Sequence, residues 1–203
     1  MTAEAEARGR ILAVARRLFY AHGFGRVTMD EIASELAMSK KTLYRHFASK
    51  EVLCEAVIDA TFTTIDAELA AVLDDAALGF EDKLERFMRL VAGGYEAARG
   101  PLLTDLQRDA PSLWARVDQW RSKVVHTRTR ALFAAGKHAG VFRPDVPEDF
   151  VVRIVLNNVQ NILRPDVLTA LGMSFPEAFA HCKALLLDGI RARPEGGGRS
   201  AAP

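Results

Sequence analysis

Apolar residues recur at helical spacing along almost the whole chain, and strand signals are nearly absent, so the periodicity alone restricts the fold to an all-α architecture. Ile11, Leu12, Ala15, Leu18 and Phe19 form one stripe, ended by His22 and by Gly23, which tolerates the left-handed backbone of a helix stop. This predicts a first helix from about Glu4 to Ala21. Thr28 and Glu31 have the spacing of a capping box, in which hydroxyl and carboxylate satisfy each other's free backbone N–H groups, and a short helix from Met29 to Leu36 follows. Ser39 is placed to cap a helix running through Phe47, and Ser49 to cap a long one from Lys50 to about Leu73.

Downstream the same spacing marks helices around Leu84, Phe87, Met88, Val91 and Tyr95, and around Leu113, Val117, Trp120 and Val124, the latter running to about His138. Pro147 and Pro176 stand where first helical positions are expected, the second inside a capping box made by Ser174 and Glu177. Two long C-terminal helices are therefore predicted, about Pro147 to Arg164 and Pro176 to Arg193. Residues 194–203 carry no apolar side chain large enough to anchor them and are expected to be a disordered tail.

The 203 residues allow one large domain or two small ones at roughly 100 to 200 residues each. Cys54 and Cys182 stand alone, without a CxxC or a Cys/His grouping, so neither a disulfide framework nor a structural zinc site is expected. The longest charge-free stretches, Ile154 to Leu163 and Val167 to Pro176, fall far short of the ~20 apolar residues that span a bilayer. The acidic start of the chain is unlike a secretory leader, and a cytoplasmic location with no membrane partner is the expectation.

A net charge of +1 gives no bulk attraction for a polyanion, yet the charge is uneven. Residues 1–50 carry nine basic and five acidic side chains, and between Leu36 and Lys50 lie Lys40, Lys41, Arg45 and Lys50 with no acid among them. Two short helices separated by Ala37, Met38 and Ser39 make a helix-turn-helix, whose second member enters the DNA major groove. On that member Leu43 and Phe47 face inward, while Lys40, Lys41, Thr42, Tyr44, Arg45 and His46 offer donors to phosphates and to guanine edges. Lys50, in the first turn of the following helix, and Thr28 sit where free backbone N–H groups already favour a phosphate.

The runs Gly23-Phe24, Val27-Thr-Met-Asp-Glu-Ile-Ala33, Ser39-Lys-Lys-Thr-Leu-Tyr-Arg-His-Phe47 and Ser49-Lys-Glu-Val-Leu53 resemble the DNA-binding signature of the TetR family of bacterial transcriptional regulators. The resemblance covers about residues 10–55. It implies an all-helical homodimer with an N-terminal three-helix DNA-binding domain and a C-terminal helical domain for ligand binding and dimerisation. It further implies that Thr28, Tyr44 and Lys50 contact phosphate and that Lys40, Lys41, Thr42, Arg45 and His46 face the groove. One position departs from the family: its turn usually carries Gly where this chain has Ala37, so either Ala37 adopts a left-handed conformation, at about 1 to 2 kcal/mol, or the turn closes differently.

The domain boundaries expected are 1–50 for the DNA-binding head, 51–193 for an effector-binding and dimerising body, and 194–203 for the tail. Phe62, Phe87, Met88, Tyr95, Trp114 and Trp120 are the bulky residues expected around an effector cavity, although aromatic stripes at helical spacing are usually plain core. Asn157, Asn158, Gln160 and Asn161 interrupt an apolar helix with more amide than burial tolerates, which suits a polar stripe at an interface. Because the family dimerises through its last two helices, Asn157 and Gln160 are read as the polar part of a dimer interface, and Phe179, Cys182, Leu186 and Ile190 as its apolar part.

No GxSxG, HExxH or GxxxxGK[ST] occurs, and no cofactor or catalytic residue is assigned. The reading is a sequence-specific regulator that binds double-stranded DNA at an inverted-repeat operator and acts as a repressor released by a small apolar or amphipathic effector. The alternatives are a constitutive or architectural DNA-binding factor of the same fold, and a helical enzyme with a degenerate head.

Overall fold

A computed structural model describes residues 3–97 and 100–192, with the backbone alone for residues 94–97 and 165. The expected tail at 194–203 lies outside the described residues. These form ten α-helices: α1 (Ala3–His22), α2 (Met29–Glu35), α3 (Lys40–His46), α4 (Lys50–Asp74), α5 (Phe80–Ala97), α6 (Pro101–Asp109), α7 (Pro111–His138), α8 (Glu148–Asn157), α9 (Pro165–Leu171) and α10 (Phe175–Ile190). Among the described residues the only strand-like pairing is one isolated bridge between Phe142 and Arg191. None of the described helices is long and apolar enough to cross a membrane.

The chain divides into two compact units, Met1–Glu68 with Gly93–Arg121, and Leu69–Ala92 with Ser122–Pro203. The boundaries fall inside α4, α5 and α7. The first unit has one core, built from Ile11, Ala15 and Phe19 of α1, Ile32 of α2, Leu43 of α3 and Leu53 of α4. Leu102, Leu103 and Leu106 of α6 are buried in that same core.

Helix α6 has no counterpart among the helices expected from periodicity. Its nine residues start at Pro101 behind Gly100 as N-cap, and its apolar stripe is only three leucines long. So short a stripe is weak evidence by itself, and burial of that stripe against α1 stabilises the helix. Asp105 then fixes the turn after α1: its Oδ2 accepts the Gly25 N–H at 2.9 Å. Gly23, at φ +88°, lies so close that a Cβ there would collide with the same carboxylate.

In the second unit the expected single helix from Pro147 to Arg164 is interrupted. α8 ends at Asn157 and passes into a π-helical turn, Asn158–Ile162, in which the Leu163 N–H reaches the Asn158 carbonyl at 2.9 Å. Pro165 has no N–H to continue the ladder, and it opens α9 instead. Pro147 is the N-cap of α8 rather than its first helical residue. α10 stops at Ile190, where the Arg143 N–H donates to the Ile190 carbonyl and the Ala192 N–H to the Val141 carbonyl, each at 2.8 Å.

Candidate nucleic-acid interface and effector cavity

The turn between α2 and α3 is where the departure at Ala37 is decided. Ala37 adopts φ +49°, the left-handed region. Its N–H donates to the Ser34 carbonyl at 3.0 Å and the Met38 N–H to the Ala33 carbonyl at 2.9 Å, the paired bonds of a Schellman stop. Alanine thus performs a glycine's task, with the Cβ penalty that implies.

Capping then starts α3 two residues later. Ser39 Oγ accepts the Thr42 N–H at 3.1 Å, and the Ser39 and Thr42 hydroxyls share a hydrogen bond of 2.8 Å. α3 hangs on Leu43, fully buried, and on its C-cap Phe47, whose ring lies 4.4 Å below the Arg8 guanidinium. The other side of the helix is open: Lys40, Lys41, Tyr44 and Arg45 are exposed, and Thr42 and His46 half-buried.

The eight side chains named for DNA contact are therefore not equivalent. Lys41 and Arg45 have no ion-pair partner among the described residues, and with Tyr44 they form the open part of the surface. Lys40 is paired with Asp30 of α2 at 2.5 Å. The Thr42 hydroxyl belongs to the Ser39 cap. Thr28 is held in a capping box: its N–H donates to Glu31 Oε2 at 2.8 Å, while its hydroxyl accepts the Glu31 N–H at 3.2 Å. These bonds, the backbone one foremost, keep the exposed Glu31 carboxyl below the usual carboxylate range. Lys50 is half-buried, its Nζ donating to the Phe24 carbonyl at 2.9 Å and lying 4.4 Å from the centre of the Phe24 ring. It ties the start of α4 to the loop before α2, which the spacing of the residues does not disclose. Beside it, burial pushes the Cys54 thiol up to about 12, an inert core side chain.

The second unit holds a partly open cavity of about 120 Å³. Helix α5 contributes Leu84, Phe87 and Met88, and α7 contributes Leu132 and Phe133. Val155 of α8 and Val159 of the π-helical turn close one side. Phe142 lies against the Phe80 and Phe133 rings, at 5.0 and 5.2 Å between centres, and leaves no room for a side chain on Gly136.

Six residues were expected around such a cavity, and the structure sorts them. Phe87 and Met88 line it. Phe62 and Trp120 instead stack on each other in the first unit, ring centres 3.8 Å apart and planes 6° from parallel. Trp114 packs against the first unit's core, so the structure places these three in that unit rather than at this cavity. The side chain of Tyr95 lies outside the described residues.

The structure places the four apolar residues expected at a dimer interface beside the cavity. Phe179, Cys182, Leu186 and Ile190 lie on the inward side of α10 and line the cavity. A helical stripe shows which side chains are buried, not what buries them. The outward side of α10 carries Ala180, His181, Ala184, Leu185 and Asp188, with Leu185 79% exposed. Asn157 and Gln160 remain exposed, with the Gln160 amide donating to Ser122 Oγ at 3.2 Å and Asn157 Oδ1 accepting from Asn161 at 3.0 Å.

The stretch that builds the head, residues 11–57, matches the family model described as bacterial regulatory proteins, tetR family. Residues 11–57 are thus a TetR-family DNA-binding head. The HTH-type transcriptional regulator YvaF of Bacillus subtilis is 25% identical over 92% of this chain and 96% of its own. The HTH-type transcriptional repressor KstR2 of Mycobacterium tuberculosis is 27% identical over 73% of this chain and 75% of its own. A structure described as a SmeT–triclosan complex superposes with a TM-score of 0.68 at 16% identity, covering 97% of this chain and 99% of that one. SmeT is described elsewhere as the repressor of the Stenotrophomonas maltophilia multidrug efflux pump SmeDEF. An N-terminal helix-turn-helix followed by a C-terminal helical domain is the architecture this chain shares with its TetR-family structural neighbours, and those relatives and neighbours are transcriptional regulators, not enzymes.

Proposed function

We propose that the chain acts as a homodimeric repressor that binds an inverted-repeat operator through paired α3 helices and leaves it when a small apolar or amphipathic effector enters the cavity. The observation that carries this reading is the presence in one chain of an open cationic helix face and, in the second unit, a partly open apolar cavity. Lys41 and Arg45 are assigned the principal groove contacts, with His46 beside them, and Tyr44 a phosphate. Thr28 and Lys50 present their helix N-termini to phosphates while holding the head in shape. Lys40 and Thr42 contribute once their partners Asp30 and Ser39 share them with DNA.

Residues 1–50 are taken as the DNA-binding head and 51–193 as the effector-binding and dimerising body. The outward face of α10 around Leu185, with the exposed Phe150, Asn157 and Gln160 of the α8 region, is assigned to the dimer contact in place of the cavity-lining residues. Repression is supported by KstR2, whose name calls it a repressor, and small-molecule binding by the complex of SmeT with triclosan.

The mechanism is a population shift. DNA selects the dimer whose recognition helices lie about 34 to 36 Å apart, one helical turn, and effector selects another spacing. Each then weakens the other's binding by the same factor. Selection of bound sequences from a random duplex pool tests the reading: enrichment of an inverted repeat supports it, and recovery of unenriched sequence overturns it. A thermal-shift screen tests the switch, since an effector that binds the folded chain raises its melting temperature and lowers operator affinity in the same titration.

A further inference from the structure

The effector reading leaves the chemistry of the ligand open, and the charged groups at the cavity narrow it. Among the described residues the lining is apolar but for Thr129, Asn158, Cys182 and two cations, Arg128 and Lys183, and it contains no carboxylate. Lys183 occupies a special place. With Leu84, Met88, Phe179 and Leu187 it lines both the cavity and an outer groove between α5 and α10, so these five residues form the neck joining the two.

The groove beyond the neck holds Glu81, Asp82 and Glu85, and two of these acids are already matched. Arg191 pairs with Glu81 at 2.9 Å and Arg89 with Glu85 at 2.7 Å. Lys183 has no ion-pair partner among the described residues and is exposed while lining the apolar cavity, a placement in which a lysine lays its stem on apolar surface and keeps its ammonium in water. A carboxylate placed there keeps part of its hydration and gains a charge-assisted hydrogen bond, whereas an ammonium would meet the like charge of Lys183.

Size sets a second limit. A cavity of about 150 Å³ lined by aliphatic and aromatic side chains holds benzene, so the 120 Å³ here admits a body of about one ring or a short chain, with the remainder threaded through the neck.

We propose that the cavity takes a small monoanionic amphiphile, its apolar body inside and its carboxylate held at the neck by Lys183. This rests on the cavity being the effector site. Isothermal titration of the full chain near neutral pH with octanoate, octylamine and 1-octanol tests it. Octanoate is expected to bind at least about tenfold more tightly than octylamine, the range of one hydrogen bond to a charged group. Lys183→Met keeps the stem and should remove that preference while leaving 1-octanol unchanged, and Lys183→Arg should restore it. If 1-octanol and octylamine bind as well as octanoate, or if Lys183→Met changes nothing, the proposal is wrong and the effector reading stands. If none of the three binds and none raises the melting temperature, while Val155→Trp, which fills the cavity, leaves operator release by heat and salt unaltered, both are wrong.

Discussion

The two units treat apolar side chains in opposite ways. Around α1–α3 the large residues close on one another, with Phe19 and Leu43 fully buried and Phe47 at 2% exposure. In the second unit comparably large residues stand around a space of about 120 Å³. Leaving that space open forgoes on the order of 3 kcal/mol of packing, at about 24 cal/mol per Å³. On the proposed function, a surface that presents Lys41 and Arg45 to base edges in fixed register tolerates no such slack, because bidentate contacts depend on the donors' geometry. A unit that admits a ligand, on the same proposed function, gives up stability to keep room for it. The contrast is between a head whose product is geometry and a body whose product is volume.

The sharpest way to break this comparison is to remove packing where none is spare. Leu43→Ala is expected to cost about 3 kcal/mol in urea unfolding and to abolish operator binding with it, since Leu43 is the buried side chain within α3 and its loss leaves only the C-cap Phe47 to hold the helix. A loss under about 1 kcal/mol would mean the head is loosely packed after all. Next in size is the cationic face itself. Arg45→Ala should cost about 1 to 3 kcal/mol of operator binding and relax specificity at one base pair, whereas Lys41→Ala or Arg45→Ala should each lower the salt slope by about one. An unchanged slope would place the DNA on another surface.

Enlarging a side chain discriminates between the two units directly. Ala15→Leu, in the filled core, should destabilise by about 1 to 3 kcal/mol. Val155→Leu, at the cavity wall, should be neutral or stabilising by up to about 1 kcal/mol while weakening whatever small molecule binds. Equal losses at both sites would remove the distinction. Ala37→Gly relieves the left-handed strain at the turn, offset in part by the entropy of an extra glycine, and should raise stability by about 0.5 to 1 kcal/mol.

The smallest effect concerns acid. Glu31 and Glu177 each close a capping box, and in both the carboxyl is lowered from its ordinary value of 4.5, Glu31 chiefly by the Thr28 backbone N–H and Glu177 chiefly by the Ser174 hydroxyl. Their contribution is therefore complete above the unfolded value and fades as pH falls below 4.5 through the lower folded values. Glu31→Gln keeps the box but cannot titrate, so its melting temperature should fall less steeply than the parent's over that acid range.

Local chemistry made the helix starts legible in the sequence, and with them most of the head. Ser39, Ser174 and the Thr28–Glu31 pair act within three residues of themselves, and all three caps form as spaced. Even the problem at Ala37 was visible, and the left-handed branch is the one adopted. The body was read less well for an equally physical reason. Phe62, Phe87, Trp120 and Phe179 are all apolar residues at helical spacing, yet Phe62 and Trp120 stack on each other whereas Phe87 and Phe179 face a cavity. Their local sequence contains nothing that tells these fates apart. Helix α6 and the break after Asn157 were missed because a three-leucine stripe and a run of amides take their meaning from what packs against them.

What the sequence determined by itself was the set of elements with local causes: helices with their caps, the turn at Ala37, and the cationic face of α3. Only the tertiary structure decided which buried face meets which, that Asp105 clasps the Gly25 turn, that Lys50 is tethered to Phe24, and that the inner side of α10 faces a cavity. The reason is range. Hydrogen bonds and propensities act over a few residues and leave their mark in order and spacing, while burial depends on partners as far apart as Gly25 and Asp105, which no periodicity records.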